Sequence, residues 1–179
     1  MDIDSLSIVF LQQFRNPIYD VSSILFNFLF SYVIVLGTLT ALYLAYKKRS
    51  IFVMLLASLT TLVSVFLLKE IVARPRPGLE ISNLVLGASG TSFPSAHTAI
   101  AFTLAVLLSK YYPKYKYAFY TLAVFVALSR IYSGSHYLTD VIAGFIVGVS
   151  VGLIFLFKEK QVFDLEAKIH KQLKSIFKI

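Results

Sequence analysis

The chain alternates between long apolar blocks and short polar interruptions. A helix crosses the hydrocarbon core of a bilayer with about 20 residues, so five such blocks predict five membrane-spanning helices. The blocks cover residues 18–46, 51–73, 95–112, 117–132 and 137–157. The first block is longer than a span needs, even when the helix is tilted, so one of its ends should protrude.

Two shorter segments flank these blocks. Residues 4–14 are apolar with polar breaks, which predicts a short N-terminal interfacial helix or a first turn folded against the bundle. Asn16 and Pro17 then offer an N-cap and a proline at the first helical position. Residues 159–179 place apolar side chains among lysines at helical spacing, which predicts a basic amphipathic helix on the membrane surface. The expected fold is all-α, with one membrane domain over residues 1–158 and this C-terminal tail.

The composition supports a membrane protein. Hydrophobic residues make up 58% of the 179 residues and charged residues 15%, whereas a soluble chain averages nearer a quarter charged. Cysteine is absent, which excludes disulfides and thiolate chemistry. The net charge of +8 lies mostly between or after apolar blocks, so anionic lipid headgroups are the expected partner and nucleic acid is not.

The basic residues orient the predicted spans. Twelve of the 17 Lys and Arg residues fall on one side: Lys47, Lys48, Arg49, Lys110, Lys114, Lys116, Lys158, Lys160, Lys168, Lys171, Lys174 and Lys178. By the positive-inside rule this side is cytoplasmic. We therefore expect a multi-pass cell-membrane protein with its N-terminus outside and its C-terminus in the cytoplasm. The first basic residue is Arg15, so we expect no cleavable signal peptide.

Three polar groups interrupt the apolar pattern where charge is costly, so each needs a reason. They lie at the end of the second block (69–76), at the start of the third (95–97) and across the turn between the fourth and fifth (130–140). All three should emerge on the same, extracytoplasmic face. The loop 78–94 belongs to that face, and its apolar residues are candidates for the entrance to a site.

The third polar group contains His136 and Asp140, four residues apart at a helix start, where they share a face. A carboxylate that accepts the Nδ1 proton fixes the histidine tautomer and leaves Nε2 as a nucleophile or base. The alternative is a polar pair that only satisfies its own hydrogen bonds.

The other two groups suit an anion. Ser95 is a natural N-cap whose helix start provides free backbone N–H groups, and His97 lies in that first turn. Taken alone, a plain serine cap with a buried histidine is the better interpretation. Lys69 and Arg76 supply fixed positive charge that can hold phosphoryl oxygens. Their alternative role, anchoring a helix end in lipid headgroups, is the favoured one for Arg74 and Arg15.

The combined residue types indicate a reaction class. Cations and a helix N-terminus stabilise a dianion whose charge shifts in the transition state, and two histidines suit a nucleophile and a general acid. No cluster of carboxylates or cysteines accompanies them, which argues against a bound metal or other cofactor. The residues therefore predict metal-independent phosphoryl transfer at a membrane face.

The three motifs resemble those of the type 2 phosphatidic acid phosphatase superfamily of membrane lipid phosphatases. That family carries K-x6-R-P, P-S-G-H and S-R-x5-H-x3-D, which this chain matches at 69–77, 94–97 and 129–140. Order and spacing agree in all three motifs. The one departure is Ala96 where the family usually has glycine; the added methyl group crowds the site, but the backbone N–H remains.

The resemblance implies a role for each matched residue. His136 would attack phosphorus and form a phosphohistidine, with Asp140 orienting it, and His97 would protonate the leaving oxygen and then activate water. The remaining residues would hold the phosphoryl oxygens: Lys69, Arg76, Ser95, the Ala96 N–H and Arg130.

The substrate stays open at this stage. The short chain looks most like polyprenyl or undecaprenyl diphosphate phosphatases, and phosphatidate or phosphatidylglycerophosphate is the alternative lipid phosphate. An anion or lipid-headgroup transporter is an alternative of another class, although no span is broken at its middle by proline or paired glycines. A scaffold without activity is a third, against which the intact motifs argue. The sequence predicts no oligomeric state.

Overall fold

A computed structural model describes residues 2–77 and 90–177, and all regular secondary structure in this part of the chain is helical. The elements in order are α1 (Ile3–Gln12), α2 (Pro17–Leu29), α3 (Tyr32–Tyr46), α4 (Arg49–Val72), α5 (Ala96–Tyr111), a 3₁₀ turn (Pro113–Tyr115), α6 (Lys116–Tyr132), α7 (Leu138–Phe157) and α8 (Glu159–Phe177). The all-α prediction is confirmed.

The five predicted spans are confirmed only in part. By length and hydropathy α4 and α7 can each cross a membrane, and the bent pair α2–α3 makes a third candidate. The helices α5 and α6 have 16 and 17 residues, or about 24 and 26 Å at 1.5 Å per residue. Both are shorter than a full hydrocarbon core of about 30 Å, and of the two only α5 is apolar throughout by hydropathy.

The block 18–46 is not the single long helix that its composition predicts. It divides into α2 and α3, whose axes differ by 49°. Ser31 separates them as the N-cap of α3, and its hydroxyl accepts from the Ile34 N–H at 3.4 Å. A short polar side chain can end one helix and start the next because it competes for backbone hydrogen bonds. The start of α2 is as predicted: Asn16 accepts from the Tyr19 N–H at 3.0 Å, and Pro17 opens the helix.

The contact between α5 and α7 organises the bundle. Gly144, Gly148 and Gly152 follow one another every four residues and face α5, so the two backbones touch. A Cβ on Gly144 would lie 2.6 Å from the Ser95 carbonyl oxygen, and one on Gly148 would overlap the Ala99 carbonyl. The starts of α5 and α7 are thereby held side by side.

The terminal helices also pack on the bundle. The first helix, α1, lies against α6 and α7, with Asp4 and Ile8 both buried. At the other end α8 packs against α4 and buries Glu166. That carboxylate accepts from the Tyr43 hydroxyl at 2.9 Å and pairs with Arg49 at 3.3 Å.

Candidate active site

The three polar motifs meet at one end of the bundle. The Ser95 N–H at the start of α5 donates to the Asp140 carbonyl on α7 at 3.0 Å. Arg76, just beyond α4, donates from Nη1 to the Ser135 carbonyl at 2.8 Å. Lys69, in the last turn of α4, donates to the Thr91 carbonyl ahead of α5 at 2.7 Å. The residues that the sequence pattern singled out therefore form one constellation.

His136 lies in the turn between α6 and α7. Gly134 makes the turn possible, since its φ of +64° is a conformation that side chains disfavour. The His136 N–H donates to the Arg130 carbonyl at 3.2 Å. Its Nδ1 lies 3.5 Å from Oδ2 of Asp140, which is long for a hydrogen bond. That same Oδ2 accepts from the Tyr137 N–H at 2.9 Å, so Asp140 caps α7 while it faces His136.

The electrostatic surroundings keep the His136 imidazole neutral. Burial lowers the pKa of His136 well below its usual range, and the nearby guanidinium groups of Arg130 and Arg76 lower it further, while Asp140 opposes them. Nε2 lies 3.4 Å from Nη1 of Arg76. A neutral imidazole whose Nδ1 faces a carboxylate presents an Nε2 lone pair among cations, as a nucleophile for an anionic substrate requires.

Arg130 is buried without a matching acceptor. Its side chain is 3% exposed, and among the described residues neither Nε nor Nη1 has a hydrogen-bond partner. Arg76 likewise leaves its Nε unpaired within the described part of the chain. A buried, unsatisfied guanidinium is strongly unfavourable, so this corner of the bundle is suited to receive an anion.

The start of α5 faces the same corner. Ser95 is the N-cap of α5 and is fully buried, and its hydroxyl accepts from the Thr98 hydroxyl at 3.0 Å. Ala96 opens the helix, where backbone N–H groups have no partner inside the helix. His97 follows, and its Nε2 lies 3.2 Å from the carbonyl of Asn27 on α2.

The expectation for Arg74 is wrong. The sequence favours a contact with lipid headgroups, but Nη1 of Arg74 lies 2.9 Å from Oδ1 of Asp140 and its Nη2 lies 2.8 Å from Oδ2 of Asp4. Its guanidinium also lies 3.8 Å from the Tyr137 ring centroid. Sequence reasoning missed Asp4 because its partner is 70 residues away; a lone carboxylate in an apolar helix was the available signal. Arg15 forms a partly exposed pair with Asp20 at 3.3 Å.

The donor set does not resemble a metal centre. Among residues 2–77 and 90–177 no three His, Asp or Glu side chains come together as metal ligands would. Most of the loop 78–94, which we expect at the entrance, lies outside the described residues.

Residues 47–162, more than half of the chain, match the family model described as the PAP2 superfamily. Phosphatidylglycerophosphatase B of Bacillus subtilis (strain 168) is 38% identical over 116 residues, 59% of this chain and 53% of that protein. Undecaprenyl-diphosphatase BcrC of the same organism is 28% identical over 96 residues, 52% of this chain and 50% of that protein. The chain thus spans about half the length of these curated relatives.

The fold agrees with a solved structure over nearly its whole length. The crystal structure of Aquifex aeolicus LpxE is similar with a TM-score of 0.76 and 29% sequence identity. The similarity covers 87% of this chain and 96% of that one. It therefore extends beyond residues 47–162 of the family match.

Proposed function

The chain belongs to the PAP2 superfamily, and on that premise we propose that it is a metal-independent membrane lipid phosphatase that works through a phosphohistidine on His136. The observation that carries the proposal is the buried Arg130, whose Nε and Nη1 have no acceptor among the described residues. A phosphoryl group supplies the missing acceptors and the compensating charge. The backbone N–H of His136 donates a hydrogen bond to the Arg130 carbonyl, so His136 lies close to the site proposed for the phosphoryl group.

In the first step Nε2 of His136 attacks phosphorus. The N–P bond forms as the bond from phosphorus to the leaving oxygen breaks, and the electron pair of that bond goes to the leaving oxygen. His97 donates a proton to this oxygen. The product that leaves is an alcohol when the substrate is a phosphate monoester, and a lipid monophosphate when it is a diphosphate. For this step His97 is the imidazolium, with a proton on each ring nitrogen. Its Nε2–H donates to the Asn27 carbonyl, which can only accept, and its Nδ1 gives up the proton that goes to the leaving oxygen.

In the second step water attacks the phosphohistidine. His97, now neutral, takes a proton from the water, the N–P bond breaks, and its electron pair returns to Nε2 of His136. Inorganic phosphate leaves, and both histidines regain their initial protonation states. Asp140 orients His136 throughout and stabilises the positive charge that the imidazole gains in the first step.

The cations and the helix start hold the transferred group. We assign the phosphoryl oxygens to these groups: Lys69, Arg76, Arg130, Ser95 and the Ala96 N–H. Preorganised donors of this kind act where negative charge develops, and they need no reorganisation at the moment of reaction. Ala96 stands where the family usually has glycine, and we expect its methyl group to tune the fit of the phosphate.

An apolar cavity supports a lipid as the substrate. A cavity of about 320 Å³ lies between α1, α2 and α6, and its lining includes Phe26, Phe125, Leu128 and Ser129. Ser129 immediately precedes Arg130 in the sequence, so the cavity lies along the same helix, α6, that carries this guanidinium. We propose that a hydrocarbon chain occupies the cavity while its phosphorylated end lies near His136.

We propose a prenyl diphosphate as the first candidate substrate and phosphatidate or phosphatidylglycerophosphate as the second. The similarity to undecaprenyl-diphosphatase BcrC supports the former; the similarity to phosphatidylglycerophosphatase B supports the latter. Phosphate release by purified protein from a panel of these lipids distinguishes them. A kcat/KM for a phospholipid well above that for prenyl diphosphates would reverse the order.

We place the site and the N-terminus outside the cell and α8 in the cytoplasm, because 12 of the 17 basic residues lie on the α8 side and basic residues favour the cytoplasmic side. The chain has no cysteine, so single cysteines report topology directly. Gln13→Cys, in the exposed turn between α1 and α2, should react with an impermeant maleimide in intact cells, and Lys160→Cys only after permeabilisation. The reverse pattern would overturn this orientation.

The mechanism is tested with His136→Ala and His97→Ala. Both should lose nearly all phosphate release, whereas Arg15→Gln, which changes a partly exposed ion pair on the same face, should retain it. Rapid acid-free quenching of wild type with ³²P-labelled substrate should trap label on His136. A chelator should leave the rate within about twofold, since the charge neutralisation comes from fixed cations. Phosphate release by His136→Ala at a rate near that of wild type would contradict the mechanism.

A further inference from the structure

We propose that Asp4 and Arg74 form a positioning pair for Asp140, so that the N-terminal helix α1 holds the active-site carboxylate in place. The inference rests on the proposed function of His136 and Asp140. It assigns a role to Asp4 and Arg74, neither of which is among the residues proposed to hold the phosphoryl group. Neither residue reaches the reacting atoms; both act through Asp140.

Asp4 is held against the start of α7 by two hydrogen bonds and makes a third to Arg74. Its Oδ1 accepts from the Thr139 N–H at 2.9 Å, and its Oδ2 accepts from the Thr139 hydroxyl at 2.8 Å. The same Oδ2 accepts from Nη2 of Arg74 at 2.8 Å. Asp4 is 7% exposed, and a buried carboxylate is tolerated only when it is paired and hydrogen-bonded in this way. These bonds fix α1 against the turn that carries Asp140.

Arg74 completes the link. Its Nη1 donates to Oδ1 of Asp140 at 2.9 Å and to the Thr139 hydroxyl at 2.6 Å, while its guanidinium lies 3.8 Å from the Tyr137 ring centroid. A planar guanidinium held by two carboxylates and an aromatic ring has one available orientation. Arg74 is therefore a rigid bridge between α1 and α7.

The bridge divides the two oxygens of Asp140 between different tasks. Oδ1 is taken by Arg74, and Oδ2 is left for Nδ1 of His136 at 3.5 Å and for the Tyr137 N–H. With Oδ1 occupied, the carboxylate cannot rotate away from the imidazole. The expected consequence is a single His136 tautomer, with the proton on Nδ1 and the lone pair on Nε2.

The test compares wild type with Asp4→Asn, Arg74→Gln and Arg74→Lys. The matched control is Arg15→Gln, which removes another Arg–Asp pair (3.3 Å, partly exposed) on the same face. For Arg74→Gln we expect kcat to fall on the order of tenfold with KM within about twofold, because a displaced catalytic group slows the chemical step. The kcat of Asp4→Asn should fall less. The kcat of Arg74→Lys should lie between those of Arg74→Gln and wild type, since lysine keeps the positive charge but lacks the planar guanidinium that binds two carboxylates.

The second readout does not depend on activity. The chain has three histidines, so the ¹⁵N chemical shifts of the imidazole nitrogens can be assigned with His136→Ala, and they report which nitrogen carries the proton. Wild type and Arg15→Gln should show the Nδ1–H tautomer of His136 at neutral pH, and Asp4→Asn and Arg74→Gln a mixture.

The outcomes separate the two proposals. If the wild-type protein releases no phosphate from any lipid, the proposed function fails, but the tautomer measurement still tests the bridge. If wild type is active while Asp4→Asn and Arg74→Gln keep both kcat and the wild-type tautomer, the bridge has no positioning role. Variants that lose only thermal stability, with kcat per folded molecule unchanged, would make it purely structural and overturn the inference.

Discussion

Ser95 and Asp140 are joined through their backbones: the Ser95 N–H donates to the Asp140 carbonyl at 3.0 Å. The residue that caps α5 is thus tied to the first turn of α7, which carries the proposed active-site carboxylate of Asp140. His97 on one helix and His136 ahead of the other depend on that junction for their relative placement. The junction in turn depends on how closely α5 and α7 approach farther along their axes.

The first prediction concerns that approach. In Gly148→Ala the new Cβ would overlap the Ala99 carbonyl of the facing backbone, and a backbone atom cannot move aside as a flexible side chain can. We expect the free energy of unfolding to fall by about 1–3 kcal/mol, with a lower Tm in detergent and a reduced rate of phosphate release.

Gly37→Ala is the matched control, because a Cβ at Gly37 in α3 meets nothing within 4 Å. Replacing a helical glycine without a clash removes backbone freedom from the unfolded state, so its Tm should stay the same or rise slightly. Equal effects of the two substitutions would contradict the close α5–α7 packing.

The same contact shows what sequence reasoning could and could not provide. The spacing within each motif and the positions of the apolar blocks are local signals, and they were enough to bring Lys69, Ser95 and His136 to one face. The sequence also contains a glycine at every fourth position of α7, but the hydropathy of glycine is close to zero and does not reveal a helix contact. Their meaning appears only when the facing Ala99 backbone is known.

The remaining gaps have similar physical causes. Arg74 and Asp4 are 70 residues apart, and nothing local in either segment specifies their ion pair. The break at Ser31 was hidden because one serine barely changes the hydropathy of a 29-residue block, although its hydroxyl caps α3. Long-range ion pairs and single caps are decided by the packed structure, whereas helix positions are decided by the apolar pattern.

A second prediction follows from the unpaired guanidinium of Arg130. In Arg130→Met the side chain keeps much of its length but loses a buried charge that has no acceptor at Nε and Nη1 among the described residues. We expect the resting protein to become more stable, with a higher Tm, while phosphate release is lost. Sites that bind charged groups are often unfavourable when empty.

Orthovanadate serves as the ligand in the same thermal measurement. It should raise the Tm of wild type, because a ligand that binds only the folded state stabilises it, and should leave the Tm of Arg130→Met unchanged. Arg15→Met, a substitution of a partly exposed arginine, should behave like wild type in both respects. A lower Tm for Arg130→Met without vanadate would mean that the charge is paired.

The third prediction concerns the apolar cavity. Leu128→Trp replaces an aliphatic side chain of the cavity lining by a larger indole ring, which should displace part of a lipid chain. Burial of a CH₂ group is worth about 0.8 kcal/mol, so losing two of them lowers kcat/KM on the order of tenfold. Hydrolysis of a short, water-soluble phosphate ester should not change, because such a substrate leaves the cavity empty.

Leu122→Trp is the control on the same helix, since Leu122 is partly exposed and does not line the cavity. It should leave both rates unaffected. Equal losses for the long and the short substrate in Leu128→Trp would indicate a disturbed active site, and no loss for either would remove the cavity from substrate binding.

The last prediction is the pH dependence of the α1 contact. Burial raises the pKa of Asp4, but the hydrogen bonds from Arg74 and Thr139 outweigh burial and hold that pKa below its usual range. A carboxylate with a lowered pKa in the folded state stabilises the fold fully above its unfolded value, near 3.9, and loses this contribution as pH falls through the folded value. The Tm of wild type should therefore exceed that of Asp4→Asn by a constant amount from about pH 7 to pH 5. The gap should narrow below about pH 4, as protonation removes the charge that the variant already lacks. If the difference in Tm between wild type and Asp4→Asn is unchanged at pH 3, the variant is destabilised by altered packing and not by loss of the ion pair with Arg74.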